Sequence, residues 1–546
     1  MLAIVLALAG CDGNLLDGPI GPIGAPTDPS CTGEQCREAP APASRFPRLS
    51  HPQYENSVRD LLRLDAASGI TGTYLGDATS TTFDNNGSEL RVGDALWGDY
   101  QRGAESLAGQ VTGDPAALAR IAEGASTGPA FVEAFGLRAH RRPLTSEERT
   151  AYETLFVAGD AAYPEMGDAF AAGVRLGLDA RLQSPAFLYR AELSSERAEG
   201  VIALTDYELA ARLSYALWDT MPDDELFRAA QAGELTEGDG MRVQAERMLM
   251  DAKAEDMVAS FHRQLLAMDH YLDVSRSTTL FPEFTPDLRQ SMVDETQAFV
   301  RHVVFEEDEG LSRLLTAPYT FVDADLARVY GLEGTYGDTV ERVDLDPTER
   351  AGLLTQIGFL ATNASSTDPD AIHRGVFVNH RILCAPLPPP PMVVPPLPPD
   401  ETGARTMRER IDAHTGPGTC GASCHGTMIN PIGFAFEHYD ALGRWRDEDH
   451  GSPVDAAAEY EFAGGPVAYA DAVDLAGVLA DEAATHRCYA RHWIEYAYGR
   501  KVASTDAQLI MRVAGGSLSG DLSVREILLE LVTSEAFRTR ATTELE

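Results

Sequence analysis

Positive charge is what this 546-residue chain has least of: 44 Lys and Arg stand against 84 Asp and Glu, a formal net charge of −40. Such a surface repels phosphate backbones and anionic headgroups, which excludes a nucleic-acid partner. Beyond the first few residues no apolar run is long enough to cross a bilayer. The chain has no Gly-x-x-x-x-Gly-Lys phosphate loop, no His-Glu-x-x-His zinc helix and no internal repeat. No defensible nucleophile elbow or fixed carboxylate pair argues for a hydrolase. What is present is ordinary for a globular chain, 44% hydrophobic and 23% charged. At this length several domains are expected rather than one core.

The N-terminus carries the localisation signal. Leu2 to Leu8 is apolar and runs into Leu8-Ala9-Gly10-Cys11. A short apolar segment ending in small residues reads as a secretion signal, not a membrane span. It resembles the lipobox of bacterial lipoproteins, which implies that Cys11 is lipidated and anchors the protein to a membrane of the bacterial cell envelope. Residues 12–45 are rich in Gly, Pro, Ala and Asp and almost free of aromatics, so they read as a disordered tether.

From Phe46 onward the pattern is mainly α: several small helical domains, a minor β-hairpin region and a polyproline arm. Capping boxes are expected at Ser50/Gln53, Thr145/Glu148, Thr205/Glu208 and Ser523/Glu526. Long helical patterns span about 239–268 and 286–306, and another helical stretch spans 351–384. Met248, Met250, Met257 and Met268 read as core filling. Phe83-Asp84-Asn85-Asn86-Gly87-Ser88-Glu89 reads as a turn rather than a calcium loop. Pro386 to Pro399 is dense enough in proline to form a stiff extended arm, and a small hairpin is expected around 452–468. The divisions are 46–110, 129–193, 203–331, 351–460 and 468–540.

One stretch suggests chemistry: Cys420-Gly-Ala-Ser-Cys424-His425. Two cysteines followed directly by histidine fasten a c-type haem, the thiols as attachment points and the imidazole as iron ligand. The usual spacer is two residues; here it is three. The competing reading is a local Cys420–Cys424 disulfide. If haem c binds, His425 is the proximal ligand, and His438, Met428 and Met511 are candidates for the sixth position, with His380, His492 and Met407 as further candidates. Arg444 and Arg446 are candidates for the propionates. Of the seven cysteines, setting aside Cys11 and the haem pair leaves four. Cys31 and Cys36 are near enough to close a small loop, which would leave Cys384 to pair with Cys488; sequence alone does not determine the pairing.

Further motifs recur in order: Arg48-Leu-Ser-His-Pro-Gln-Tyr54 with Phe83-Asp-Asn-Asn86; Arg141-Arg142-Pro143-Leu144-Thr145; Leu204 to Leu235 with Phe281-Pro282-Glu283-Phe284; Arg374-Gly375 through to Arg446; and Cys488 to Arg500 with Ser534-Glu-Ala-Phe537. Together they resemble the exported multi-domain proteins built around the domain of unknown function fifteen ninety-two, of planctomycete and myxobacterial type and associated with cytochrome c domains. In the family's fourth domain the pattern is Cys-x-x-Cys-His, then Asp- or Asn-Pro-x-Gly-Phe and Phe-Glu. Here Cys424, His425, Asn430, Pro431, Gly433, Phe434, Phe436 and Glu437 match, and the first cysteine is displaced by one residue. The expected function is therefore a lipid-anchored c-type haem protein with a redox or electron-transfer role and a redox partner protein. The alternative is a haem-free surface scaffold or polymer-binding protein. Whether the chain is an enzyme is left open.

Overall fold

Helix caps organise the chain. All four capping boxes read from the sequence are formed, and each starts a helix: His51–Leu61, Ser146–Ala162, Asp206–Trp218 and Val524–Thr533. In each, the Ser or Thr hydroxyl accepts from an otherwise unpaired N–H and the Glu or Gln reaches back. The computed structural model describes residues 43–77, 81–198, 200–388, 405–416 and 421–542. Cys11, Cys31, Cys36, Cys420, the signal segment, most of the tether and all of the proline arm after residue 388 lie outside these residues.

The architecture is mainly α. Sheet structure among the described residues is one three-stranded sheet and three two-stranded ones, all antiparallel. The largest hairpin pairs Ala458–Phe462 with Gly465–Tyr469, with Tyr460 opposite Val467. The three-stranded sheet ties Val201–Ala203, just before the helix Asp206–Trp218, to Thr539–Ala541 near the end of the described chain.

Two large apolar cores form. The first gathers residues from Leu49 to Leu188 and is bridged to the next layer by Tyr215, Met221 and Phe227. The second runs from Leu204 to Phe537, with Phe83 inserted against Phe261. A small third cluster, Ala371, Met407, Ile411 and Phe434, supports the segment that follows Cys424. Cys384 and Cys488 are joined by a disulfide, with Cα atoms 5.4 Å apart.

Some expectations change. The 239–268 pattern is two helices, Gly240–Leu249 and Ala252–Leu265, because Asp251 caps the second and breaks the first. Met248, Met257 and Met268 are core, but Met250 falls at the break and is 76% exposed. The 351–384 stretch is interrupted between Ile357–Thr362 and Ala371–Phe377, where Asp370 caps the second helix. The 83–89 segment is a turn: Asn86 Oδ1 accepts from the Ser88 backbone N–H and hydroxyl, and Asn85 Nδ2 donates to the Tyr496 carbonyl.

Candidate functional site

The chain around His425 is built as three short turns. The N–H groups of Cys424 and His425 both donate to the Gly421 carbonyl, starting a turn at Ala422–Cys424. A widened π turn follows over His425–Ile429, then the helix Asn430–Phe434. Pro431 has no N–H to donate back into the preceding turn, which suits a widened turn just before it.

Two glycines let this segment lie against the Ala371–Phe377 helix. A Cβ on Gly433 would sit 1.9 Å from the Ala371 carbonyl oxygen, and one on Gly375 would sit 2.1 Å from that of Ile429. The buried Asn379 adds a polar clasp: its Nδ2 donates to the carbonyls of Gly375 and Met428, at 2.8 and 3.0 Å, and its Oδ1 accepts from Tyr460.

A relay fixes the imidazole. The Thr415 hydroxyl donates to the Ile411 carbonyl at 2.8 Å, so its oxygen is left to accept. Asn430 Nδ2 donates to that oxygen at 2.9 Å, which turns Asn430 Oδ1 toward His425 Nδ1 at 3.2 Å. An amide oxygen only accepts, so Nδ1 is the donor in this pair, and in the neutral ring Nε2 carries the lone pair. Asn430 is itself buried, while His425 and Cys424 are half-buried and Gly426 and Thr427 are exposed. The imidazole is thus anchored from beneath and open at its rim. This is the arrangement that orients metal-ligating histidines.

Beyond Phe434 the chain doubles back through 436–446, and buried arginines hold it. Arg374 is fully buried and donates to the carbonyls of Phe436, Tyr439, Leu360 and Asp440, at 3.0, 3.2, 3.1 and 3.1 Å. Burial lowers its pKa to about 10. Arg350 donates to the Gly443 carbonyl and Arg276 to that of Ala441. Below them Glu295 is fully buried; Tyr330 and Thr320 donate to its Oε1, while Oε2 has no partner. Burial pushes its pKa up to about 7. Glu437, of the Phe-Glu motif, is also pushed up to about 7 by burial.

The other sequence candidates are placed as follows. Met428 lies in the same turn as His425, three residues on, and packs onto the main core, so it does not approach from the opposite side. His438 donates from Nδ1 to the Arg446 carbonyl and stacks on Trp445 with centroids 4.4 Å apart. Met511 is 37% exposed on the helix Ala507–Ser519, which packs on Ala483–Tyr498. Met407 is in the third core cluster and His380 is exposed. His492 lies against the disulfide, Nε2 3.4 Å from Cys488 Sγ and 3.2 Å from the Arg381 carbonyl. Neither arginine proposed for propionates is a free cation: Arg444 pairs with Asp440 and Glu283, and Arg446 with Glu437 and Asp449. Both close the 436–446 turn instead.

The sequence reading did not single out Thr415 or the His425–Asn430 pairing. Asn430 stood in the motif, and the signal was its place five residues after the histidine, one widened turn away. Gly124-Ala-Ser126-Thr-Gly128 does spell Gly-x-Ser-x-Gly. It links the helices Pro115–Ala122 and Gly128–His140, with no strand before it and Ser126 exposed, so it lacks the elbow's architecture.

Five family models match the chain in order. Each is described as a protein of unknown function: DUF1587 over residues 47–113, DUF1595 over 129–192, DUF1592 over 204–332, DUF1588 over 350–449 and DUF1585 over 467–537. The DUF1588 model, labelled PSCyt3, spans the described part of the His425 segment and its supports. No curated protein and no solved structure matches. The ordered set of five shows that the chain belongs to the planctomycete-type, cytochrome c-associated proteins built from these domains of unknown function.

Proposed function

We propose that the chain is an exported, lipid-anchored c-type haem protein with an electron-transfer role at the bacterial cell envelope. The observation that carries this reading is the Thr415–Asn430–His425 relay, which leaves Nε2 with the lone pair at a half-buried, accessible edge. The cytochrome label of the family model over this segment supports it.

In this reading Cys420 and Cys424 would hold the haem through thioethers and His425 Nε2 would ligate its iron. Bound haem supplies a one-electron couple. The chain's own residues do the rest. Asn430 keeps the Nδ1 proton in place, which raises the basicity of Nε2 and prevents the ring from rotating. Gly375 and Gly433 allow the close approach that makes the segment a rigid support. Lipidation at Cys11 would hold the protein at a membrane, outside the cytoplasm, where c-type haem is attached.

The test is expression of the chain, with its own signal, beside a c-type haem maturation system. A haem absorbance that survives denaturing extraction is expected, together with release of the protein from membranes on Cys11→Ser. Protein that matures and folds with no covalent haem would overturn the reading.

A further inference from the structure

A large cavity lies far from Cys424 and His425 along the chain, where the first two family segments meet the third and the last. It encloses about 810 Å³, and neither Cys424 nor His425 lines it. That is within the range of small-molecule sites. Its apolar wall includes Phe46, Pro47, Pro143, Ala186, Tyr207 and Ala211.

The charged groups around it are spent on one another, with one exception. Arg141 donates to the carbonyls of Ala186, Phe187 and Tyr189. Arg142 makes a two-pronged pair with Glu148, Arg212 with Glu192, and Arg500 with Asp506. Glu208 accepts from the backbone N–H groups of Leu193, Ser194 and Thr205. Burial lowers the His140 pKa to about 4, so that ring is neutral.

Arg190 is the exception. Its backbone is fixed, because its N–H donates to the Pro47 carbonyl. Its guanidinium lies 5.2 Å from the centre of the Tyr215 ring, yet among the described residues it has no ion pair and donates no hydrogen bond, and its Nε is buried without a partner. In a chain of net charge −40, a half-buried cation that feels Glu192 and Asp219 only at longer range, with no carboxylate in ion-pair contact, stands out. Burying an unpaired charge costs stability unless something arrives to pair it. A guanidinium presents a planar fork that matches an oxyanion.

The geometry points to this cavity as a binding site for a small molecule with a single oxyanionic head, held by Arg190, and an apolar body lying against Phe46, Tyr207 and Ala211. The site is independent of the His425 segment and would operate whether or not haem is bound.

Two probes with the same aromatic body test it. 1-Anilinonaphthalene-8-sulfonate carries the charge and N-phenyl-1-naphthylamine lacks it; both brighten in apolar surroundings. The expected result with the full chain is saturable binding of the sulfonate, with the uncharged probe at least about tenfold weaker, the difference that charge-assisted hydrogen bonds supply. Arg190→Met should weaken the sulfonate by about the same factor and leave the uncharged probe unchanged, with circular dichroism and melting temperature confirming a folded protein. Equal affinity for both probes, no saturable binding of the sulfonate, or an unaltered sulfonate affinity in a folded Arg190→Met protein would each overturn the proposal.

Discussion

The floor of the 436–446 turn and the wall of the cavity beside Arg190 each hold an arginine away from bulk water, and they use it in opposite ways. Arg374 donates to four carbonyls through its two terminal nitrogens. Arg190 sits at the edge of an 810 Å³ space and donates to nothing described. A buried cation that satisfies backbone is a staple; one left unsatisfied beside a cavity is a ligand group in waiting. The same contrast separates the two regions as a whole. The His425 segment has a recognisable motif, a rigid support and an open rim. The cavity has volume and one spare charge, but no motif.

The largest expected effect that would break this comparison is at the staple. Arg374→Met should cost at least about 3 kcal/mol, since several buried carbonyls lose their donor together. Hydrogen exchange should localise the opening to residues 428–446. Comparable unfolding free energies for Arg374→Met and wild type would remove the distinction between the two arginines.

Next in size is the acid beneath the turn. Glu295 has a folded pKa of about 7, raised by burial above an unfolded value near 4.5. The folded protein therefore binds a proton that the unfolded chain releases, and stability falls as pH rises through this window. Glu295→Gln should abolish that part of the dependence, worth on the order of 2 kcal/mol between pH 5 and pH 8. Denaturant titrations of both proteins at the two pH values measure it, and parallel pH profiles would contradict the assignment.

Smaller again is the relay. Asn430→Leu should cost roughly 1–2 kcal/mol by leaving the Thr415 hydroxyl and His425 Nδ1 without their shared partner. Its specific signature is in the imidazole nitrogen shifts of His425, which should report the Nδ1–H form in wild type and a mixture in the variant. The smallest effect belongs to Arg190→Met, which should leave the unfolding free energy within about 1 kcal/mol of wild type, since no bonded partner is lost. A large loss there would make Arg190 a staple after all.

How much of this was legible depended on distance along the chain. Ser50/Gln53, Thr145/Glu148, Thr205/Glu208 and Ser523/Glu526 each join residues three apart, and all four formed. The mainly helical class followed from the same local patterns. Met250 was misplaced because its helical periodicity continues across the cap at Asp251, and periodicity does not register a cap as a break. Arg444 and Arg446 looked like spare cations because their partners Glu283, Glu437 and Asp449 are chosen by the fold of the turn. The cavity was invisible for the same reason: its wall takes residues from Phe46, Arg190 and Arg500. The relay lay between, with Asn430 inside the motif and Thr415 fifteen residues earlier.

What Cys420 and Cys424 hold decides whether the chain is a c-type haem protein. Trypsin should release residues 411–444 as one peptide, carrying both cysteines and His425. From protein matured beside a c-type haem system, mass spectrometry of that peptide should find one haem attached through both thiols. The same peptide lighter by two hydrogens, with Cys420 and Cys424 bridged and no haem, would contradict it.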